Sequence, residues 1–327
     1  MISMRPVSPL PAHLETIPFT VAEARAASLS RGRLRSSDLA SAGRLLYLPA
    51  GWDFELPAMA RAVSAATPGA WISHVTAARL LGLWLPPWLQ DSRVLHLSKT
   101  RALPPVRRDG VVGHTVLVHE GETMDWEGIH ISTPARTWLD LCRVLPLEHA
   151  VAIGDQLVRQ PRDGLELRTT PWATVQELRG LLKRHPKMQG IVKARAAVEL
   201  IRIGADSAPE TFLRLALVDA GLPEPELQVR LLPVIPTRRL PTSGTGRGGL
   251  PYSTTAAITL LANSSPATTA GTPASTPPAG ITSNSMLMIL RTTSGGPPAW
   301  SAQRCESLKH QLLYQFWFLT GRFRDQN

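Results

Sequence analysis

The chain has 327 residues, a formal net charge of +10 and an isoelectric point near 10.5, which is enough length for two or three domains and a charge that attracts polyanions. Its two cysteines, Cys142 and Cys305, are far apart with no partner at ligand spacing, which excludes a disulfide framework and a cysteine zinc site. No apolar run approaches the roughly 20 residues of a membrane span, and the opening MISMRPVSPLPAHLE lacks a signal-peptide core, so a cytoplasmic protein with no membrane partner is expected.

Residues 1–18 are proline-rich without periodicity and read as a flexible leader. The stretch FTVAEARAASLSRGRLRSSDL, residues 19–39, then carries two helix-start signals. Thr20 can cap a helix through Ala27, with Glu23 completing a capping box. Ser30 can cap a second helix from Arg31 to about Leu39, and GRLLYLPAG follows as a short strand closed by Pro49 and Gly51. Over residues 19–55 this is the order of a winged helix-turn-helix, whose second helix enters the major groove. On that helix Arg31 and Arg35 share one face, while Leu34 and Leu39 turn to the core. Arg31, Arg33 and Arg35 are the expected readers of base edges and phosphates, with Ser30, Ser36 and Ser37 as phosphate donors and Arg44 as a contact from the wing. A solvated basic helix without a ligand accounts for the same charges.

Residues 56–160 read as a compact α+β domain. LPAMARAVSAA and SHVTAARLLGLWLP predict helices, the second capped by Ser73; RVLHLSK, GVVGHTVLVHE and GIHIST predict strands. TPARTWLDLCRVLPLEHAVAIGDQLVRQ predicts two helices parted at Pro146. In the first of them Ala135, Trp138, Leu139 and Cys142 form an apolar stripe, and Arg136 and Asp140, four apart, suit a surface pair. His114 and His119 flank one strand but point to opposite faces, and Ser73 and His74 diverge at a helix start, so neither a metal site nor a nucleophile pair is expected. Trp84 and Trp88 read as core or interdomain packing.

Residues 161–232 are helical in pattern, with Ala196, Leu200 and Ile203 at helical spacing. SAPETFLRLALVDAGL adds a helix with proline in its first turn, Glu210 at its start and Gly221 near its end. A carboxylate is favoured at that place by the helix dipole alone. SGTGRGG, residues 243–249, lacks the lysine and preceding strand of a phosphate-binding loop.

FTVAEARAASLSRGRLRSSDL, PGAWISHVTAARLLGLWLP, VVGHTVLV, GIHISTPARTWLDLC and VAIGDQLVR, in this order, resemble the actinobacterial relatives of AbiEi, the antitoxin of type IV toxin-antitoxin systems. SAPETFLRLALVDAGLPEPELQV resembles the opening of the very-short-patch-repair-like endonuclease domain that such proteins often carry. The resemblance spans roughly residues 19–229. It implies a winged-helix DNA-binding domain, an α+β domain of the AbiEi type, and the helical start of a restriction-endonuclease-like domain in which acidic residues hold magnesium. On that carry-over Glu210 matches the helical glutamate, and an aspartate and an EYDG-like segment with a histidine should follow. None is present in the sequence.

Between Glu226 and Glu306 no acid occurs over 79 residues, although 23 of the 25 acids precede that gap. Residues 233–327 hold Ser, Thr, Pro, Ala and Gly instead, as in NSSPATTAGTPASTPPAG, a composition that buries too little apolar surface to offset chain entropy. A natural disordered tail and a shifted reading frame near Leu232 both fit. One carboxylate cannot assemble a magnesium site, so Glu210 is a vestigial catalytic candidate and no cofactor is expected. The reading that follows is an antitoxin-like or regulator-like protein that binds double-stranded operator DNA, with a cognate toxin as a further partner. The alternatives are a magnesium-dependent endonuclease, inactive in this chain, and a module that only neutralises a toxin.

Overall fold

A computed structural model describes residues 8–162, 164, 166–222, 224, 225 and 227, and the backbone of 255–261 and 285–291. The chain is mixed α and β and divides into two units, residues 1–202 and 203–327.

The first unit opens with β1 (Phe19–Thr20) and α1 (Val21–Ala26). The predicted capping box is present: Thr20 accepts the Glu23 amide through its hydroxyl, and the Glu23 carboxylate accepts the Thr20 amide at 2.6 Å. The expected helix from Arg31 to Leu39 does not form. It contracts to one 3-10 turn, Arg33–Arg35, after which Ser36 is extended and Leu39–Ser41 become strand β2. Ser36, Ser37 and Asp38 bond readily to nearby groups and are weak helix formers, and Asp38 turns back to grip Arg33. The strand expected next is β3 (Leu46–Pro49), which pairs antiparallel with β1 on one side and β2 on the other. Leu14, Phe19, Ala24 and Leu34 form the small core under this sheet, flanked by Leu10 and Tyr47. The expected leader therefore contributes to the core, because Leu10 and Leu14 cover an apolar face that three short strands leave open.

The rest of the unit runs through α2 (Leu56–Ala65), β4 (Trp71–Ile72), α3 (His74–Leu80), α4 (Pro87–Gln90), β5 (Leu95–Thr100), β6 (Val111–Val116), β7 (Thr123–Trp126) and β8 (Ile129–Ser132). It closes with α5 (Pro134–Leu141), α6 (Leu147–Val158), α7 (Val175–Arg184) and α8 (Ile191–Leu200). The strands form one sheet in the order β6-β5-β4-β8-β7. β4 lies antiparallel to β5 and parallel to β8, so the helices that follow them, α3 and α5, leave the middle of the sheet in the same direction and pack together. Thr133 caps α5 by accepting the Arg136 amide at 3.3 Å, and Trp138, Leu139 and Cys142 are buried as the spacing predicts. The α8 stripe differs from expectation. Ile191, Ala194, Ala197 and Val198 are buried, whereas Ile203 is 59% exposed and Ala196 is exposed, because α6 and α7 both pack on the alanine-rich side. Trp84 stacks on His149 at 5.2 Å, but Trp88 is 58% exposed.

In the second unit α9 (Ala208–Asp219) has proline in its first turn. It ends at Gly221, whose φ of +75° sets up the bond from the Leu222 amide to the Leu217 carbonyl, a Schellman closure. β9 (Thr255–Leu261) and β10 (Ser285–Arg291) pair antiparallel. The remainder of the low-complexity stretch 233–327 lies outside the described residues. Among the described residues no helix is long and apolar enough to cross a membrane.

Candidate functional site

The segment around the 3-10 turn carries Arg31, Arg33 and Arg35, and the β2–β3 hairpin carries Arg44. Arg31, Arg35 and Arg44 are exposed and make no ion pair among the described residues. Arg33 is 8% exposed and grips Asp38 with both terminal nitrogens, at 2.9 and 2.6 Å. Arg33 is thus removed from the expected contact set: Asp38 and the Ser8 carbonyl hold its guanidinium against the module. Ser30 uses its hydroxyl to accept the Arg33 amide at 3.1 Å, and Ser36 is half-buried where the turn ends.

The acids Asp38 and Glu23 of the same module are engaged within the fold. The hydrogen bond from Arg33 holds the Asp38 carboxyl below its usual range. Burial would raise Glu23, but the Thr20 amide and Arg61 outweigh it and keep that carboxyl low as well. The hairpin is tied to the β5–β6 loop by Arg108, which donates to the Arg44 carbonyl at 2.7 Å and to those of Ala42 and Ala66. Arg44 is therefore presented on a braced tip between Gly43 and Leu45, both at positive φ.

A second assembly lies beneath the five-stranded sheet. Arg136 on α5 donates to Glu122 at 2.7 Å, to Asp140 at 2.9 Å and to the Leu117 carbonyl at 2.8 Å. The Arg136 and Asp140 side chains are each 1% exposed, so the expected surface pair is a buried one. Helix spacing reports that two residues share a face, not whether that face is covered, and here α3, α6 and α7 pack on α5. Glu122 also meets His185, at the end of α7, with both oxygens at 2.8 and 2.9 Å, and Arg184 at 3.3 Å. Burial pushes the Glu122 carboxyl up, yet bonds from His185 and Arg136 outweigh it and hold the group ionised. Burial keeps His185 neutral against the pull of Glu122. His119, just before this turn, packs its ring edge to face on His185 at 5.0 Å. The ligating atoms of His119, Glu122 and His185 all lie within 4.8 Å of one another, and these three side chains could hold a metal ion.

The same network reaches a stack of imidazoles. His74, the first residue of α3, has φ +52° and lies over His114 at 3.6 Å between ring centres. His96 meets His114 through ring nitrogens 3.0 Å apart. The expected divergence of Ser73 and His74 is not observed: that positive φ folds the ring back until Nδ1 is 2.9 Å from the Ser73 hydroxyl, which also accepts from Ser98 at 2.7 Å. Ser73 makes no side-chain cap and is fully buried. Asp140 brings its second oxygen to 3.9 Å from the same Nδ1 of His74. A nucleophile triad needs hydroxyl and carboxylate on opposite ring nitrogens, so this set does not activate Ser73. His114 and His119 serve separate clusters, one at each end of the network.

Glu210 sits at the start of α9, accepting the Asp206 amide at 2.9 Å and bonding the Ser207 hydroxyl at 3.1 Å. Local spacing singled out neither Glu122 nor His185. The His119–Glu122 spacing in HEGE was a visible signal for the first, while His185 reaches Glu122 only through the tertiary fold. No protein-family model matches the chain, and no curated protein matches it in sequence.

Proposed function

We propose that the chain is a double-stranded DNA-binding protein of the regulator or antitoxin kind, acting in the cytoplasm through its N-terminal winged-helix-like module. The observation that carries this reading is the exposure of Arg31, Arg35 and Arg44, in a module whose acids Asp38 and Glu23 are already paired with Arg33 and Arg61. Arginines without internal partners supply phosphate contacts and the counterion release that drives DNA association. Ser30 and Ser36 flank the turn as further donors. A single 3-10 turn reaches phosphates more readily than base edges, so backbone contacts dominate and base readout is limited to the few side chains at the turn.

The resemblance to AbiEi-type proteins adds a cognate toxin as a further partner and an inactive remnant of an endonuclease-like domain around Glu210. Glu210 in this reading closes the start of its own helix. The test is fluorescence anisotropy of labelled duplex DNA against the full chain over a range of salt. The combined Arg31→Ala, Arg35→Ala and Arg44→Ala variant is expected to bind more weakly and to lower the slope of log affinity against log salt by roughly 2 to 3, about 0.9 for each phosphate lost. Unchanged affinity and slope in that variant would overturn the reading and leave the toxin-directed alternative.

A further inference from the structure

We propose that His119, Glu122 and His185 form a binding site for a divalent transition-metal ion, zinc foremost, at the outer end of the buried polar network. The proposal is independent of DNA binding and concerns the other face of the first unit's chemistry.

The backbone brings the donors together from two sources. His119 and Glu122 stand three apart on a turn closed by the bond from the Glu122 amide to the His119 carbonyl, and His185 arrives from the end of α7. Their ligating atoms already lie within 4.8 Å of one another. Tetrahedral zinc with bonds of about 2.0–2.2 Å sets its ligands roughly 3.3–3.5 Å apart. The His185 to Glu122 separation of 2.8 Å, now bridged by a proton, has to open only by about half an ångström for the ion to replace that proton.

The carboxylate is oriented as a metal ligand needs to be. Arg136 holds one Glu122 oxygen at 2.7 Å and is itself fixed by Asp140 and the Leu117 carbonyl, the kind of outer partner that sets the direction of a ligating carboxylate. The other oxygen faces His185 and Arg184. Arg184 reaches it at 3.3 Å from a side chain that is 49% exposed, so an incoming ion can displace it into solvent. Arg136 divides its charge between Glu122 and Asp140, and the half-exposed Arg184 is the partner of Glu122 that the cation replaces.

Two imidazoles and one carboxylate select zinc and its neighbours over magnesium or calcium, which prefer all-oxygen shells. Three protein donors leave a fourth position for water, an open site. In the imidazole stack His74 and His114 lie parallel within 12° at 3.6 Å and cannot direct their in-plane lone pairs at one ion, and the facing nitrogens of His96 and His114, 3.0 Å apart, satisfy each other.

The experiment uses the full chain, stripped with a chelator and titrated with zinc chloride against a chromophoric zinc indicator, with cobalt absorption spectra as an independent readout. One equivalent of zinc should bind, and cobalt should develop the intense visible bands of a four-coordinate site. His119→Ala, a change at the solvent-accessible donor, should weaken zinc by at least roughly tenfold, since even outer-partner losses cost 10- to 100-fold. His185→Gln should do the same, while His96→Gln should leave zinc affinity unchanged. Absence of stoichiometric binding, or binding that survives both His119→Ala and His185→Gln, would overturn the proposal and leave the cluster as an internal ion-pair network.

Discussion

In the three-stranded module Arg31, Arg35 and Arg44 stand in solvent with no ion pair among the described residues, whereas under the five-stranded sheet Arg136 is 1% exposed and bonded to Glu122, Asp140 and a carbonyl. The difference follows from what each surroundings can supply. A guanidinium withdrawn from water loses hydration that only fitted acceptors replace, and a large sheet with helices on it has room to place them. Among the described residues the small module encloses only one arginine, Arg33, and Asp38 meets it at the surface with a side chain 44% exposed. Charge inside thus answers to the chain's own acids, whereas Arg31, Arg35 and Arg44 meet none of them among the described residues.

Removing the inner cation tests that contrast most severely. Arg136→Met strands Glu122 and Asp140 in the interior and should lower stability by about 3–5 kcal/mol, read from the urea midpoint. A loss below about 1 kcal/mol would mean that solvent reaches these acids and that the two regions are not different in kind.

Acid provides the next test. Burial lowers His74 and His96 and draws His114 down to about 4, against about 6.5 in an unfolded chain. Between those values the unfolded chain binds more protons, so stability present above pH 6.5 is lost as pH falls toward 4. Asp140 works in the opposite sense, because burial raises it to about 6 and its contribution grows as pH falls from there to 3.8. The histidines and the lowered carboxyls of Glu23 and Asp38 oppose it together. Thermal midpoints should fall across this window, and His114→Gln should flatten the dependence; midpoints constant from pH 7 to 4 would contradict the buried neutral stack.

The smallest effects separate Arg33 from Arg35. Arg33→Ala should cost about 1 kcal/mol, since its charged bond to Asp38 is partly screened, with DNA binding reduced only as far as folding is. Arg35→Ala should change stability by no more than about 0.5 kcal/mol yet weaken DNA binding and reduce its salt slope. If both behave alike in both assays, inward and outward arginines have been wrongly distinguished.

Much of the fold was legible where its cause is local. The Thr20–Glu23 capping box, the proline that parts α5 from α6, the Gly221 closure and the strands β3, β5, β6 and β8 were all visible as short-range signals. β4 has two residues and β7 reads TMDW, too short or too irregular for alternation to register, and both exist because neighbouring strands pair with them. The site was legible only in part. The arginines of the turn were singled out, but spacing on an assumed helix could not tell Arg33 from Arg35, and the Glu122–His185 contact spans 63 residues of chain.

By itself the sequence determined several caps and stops, and it concentrated positive charge between Arg31 and Arg44. The caps and closures that formed, Thr20–Glu23 and Gly221 among them, rest on bonds within a few residues of one another. The tertiary structure alone decided that Ser30–Leu39 is a turn rather than a helix, that Arg33 and Arg136 face inward, and that Ser73 meets His74. Burial depends on what covers a residue, and the covering groups come from parts of the chain that local pattern does not connect.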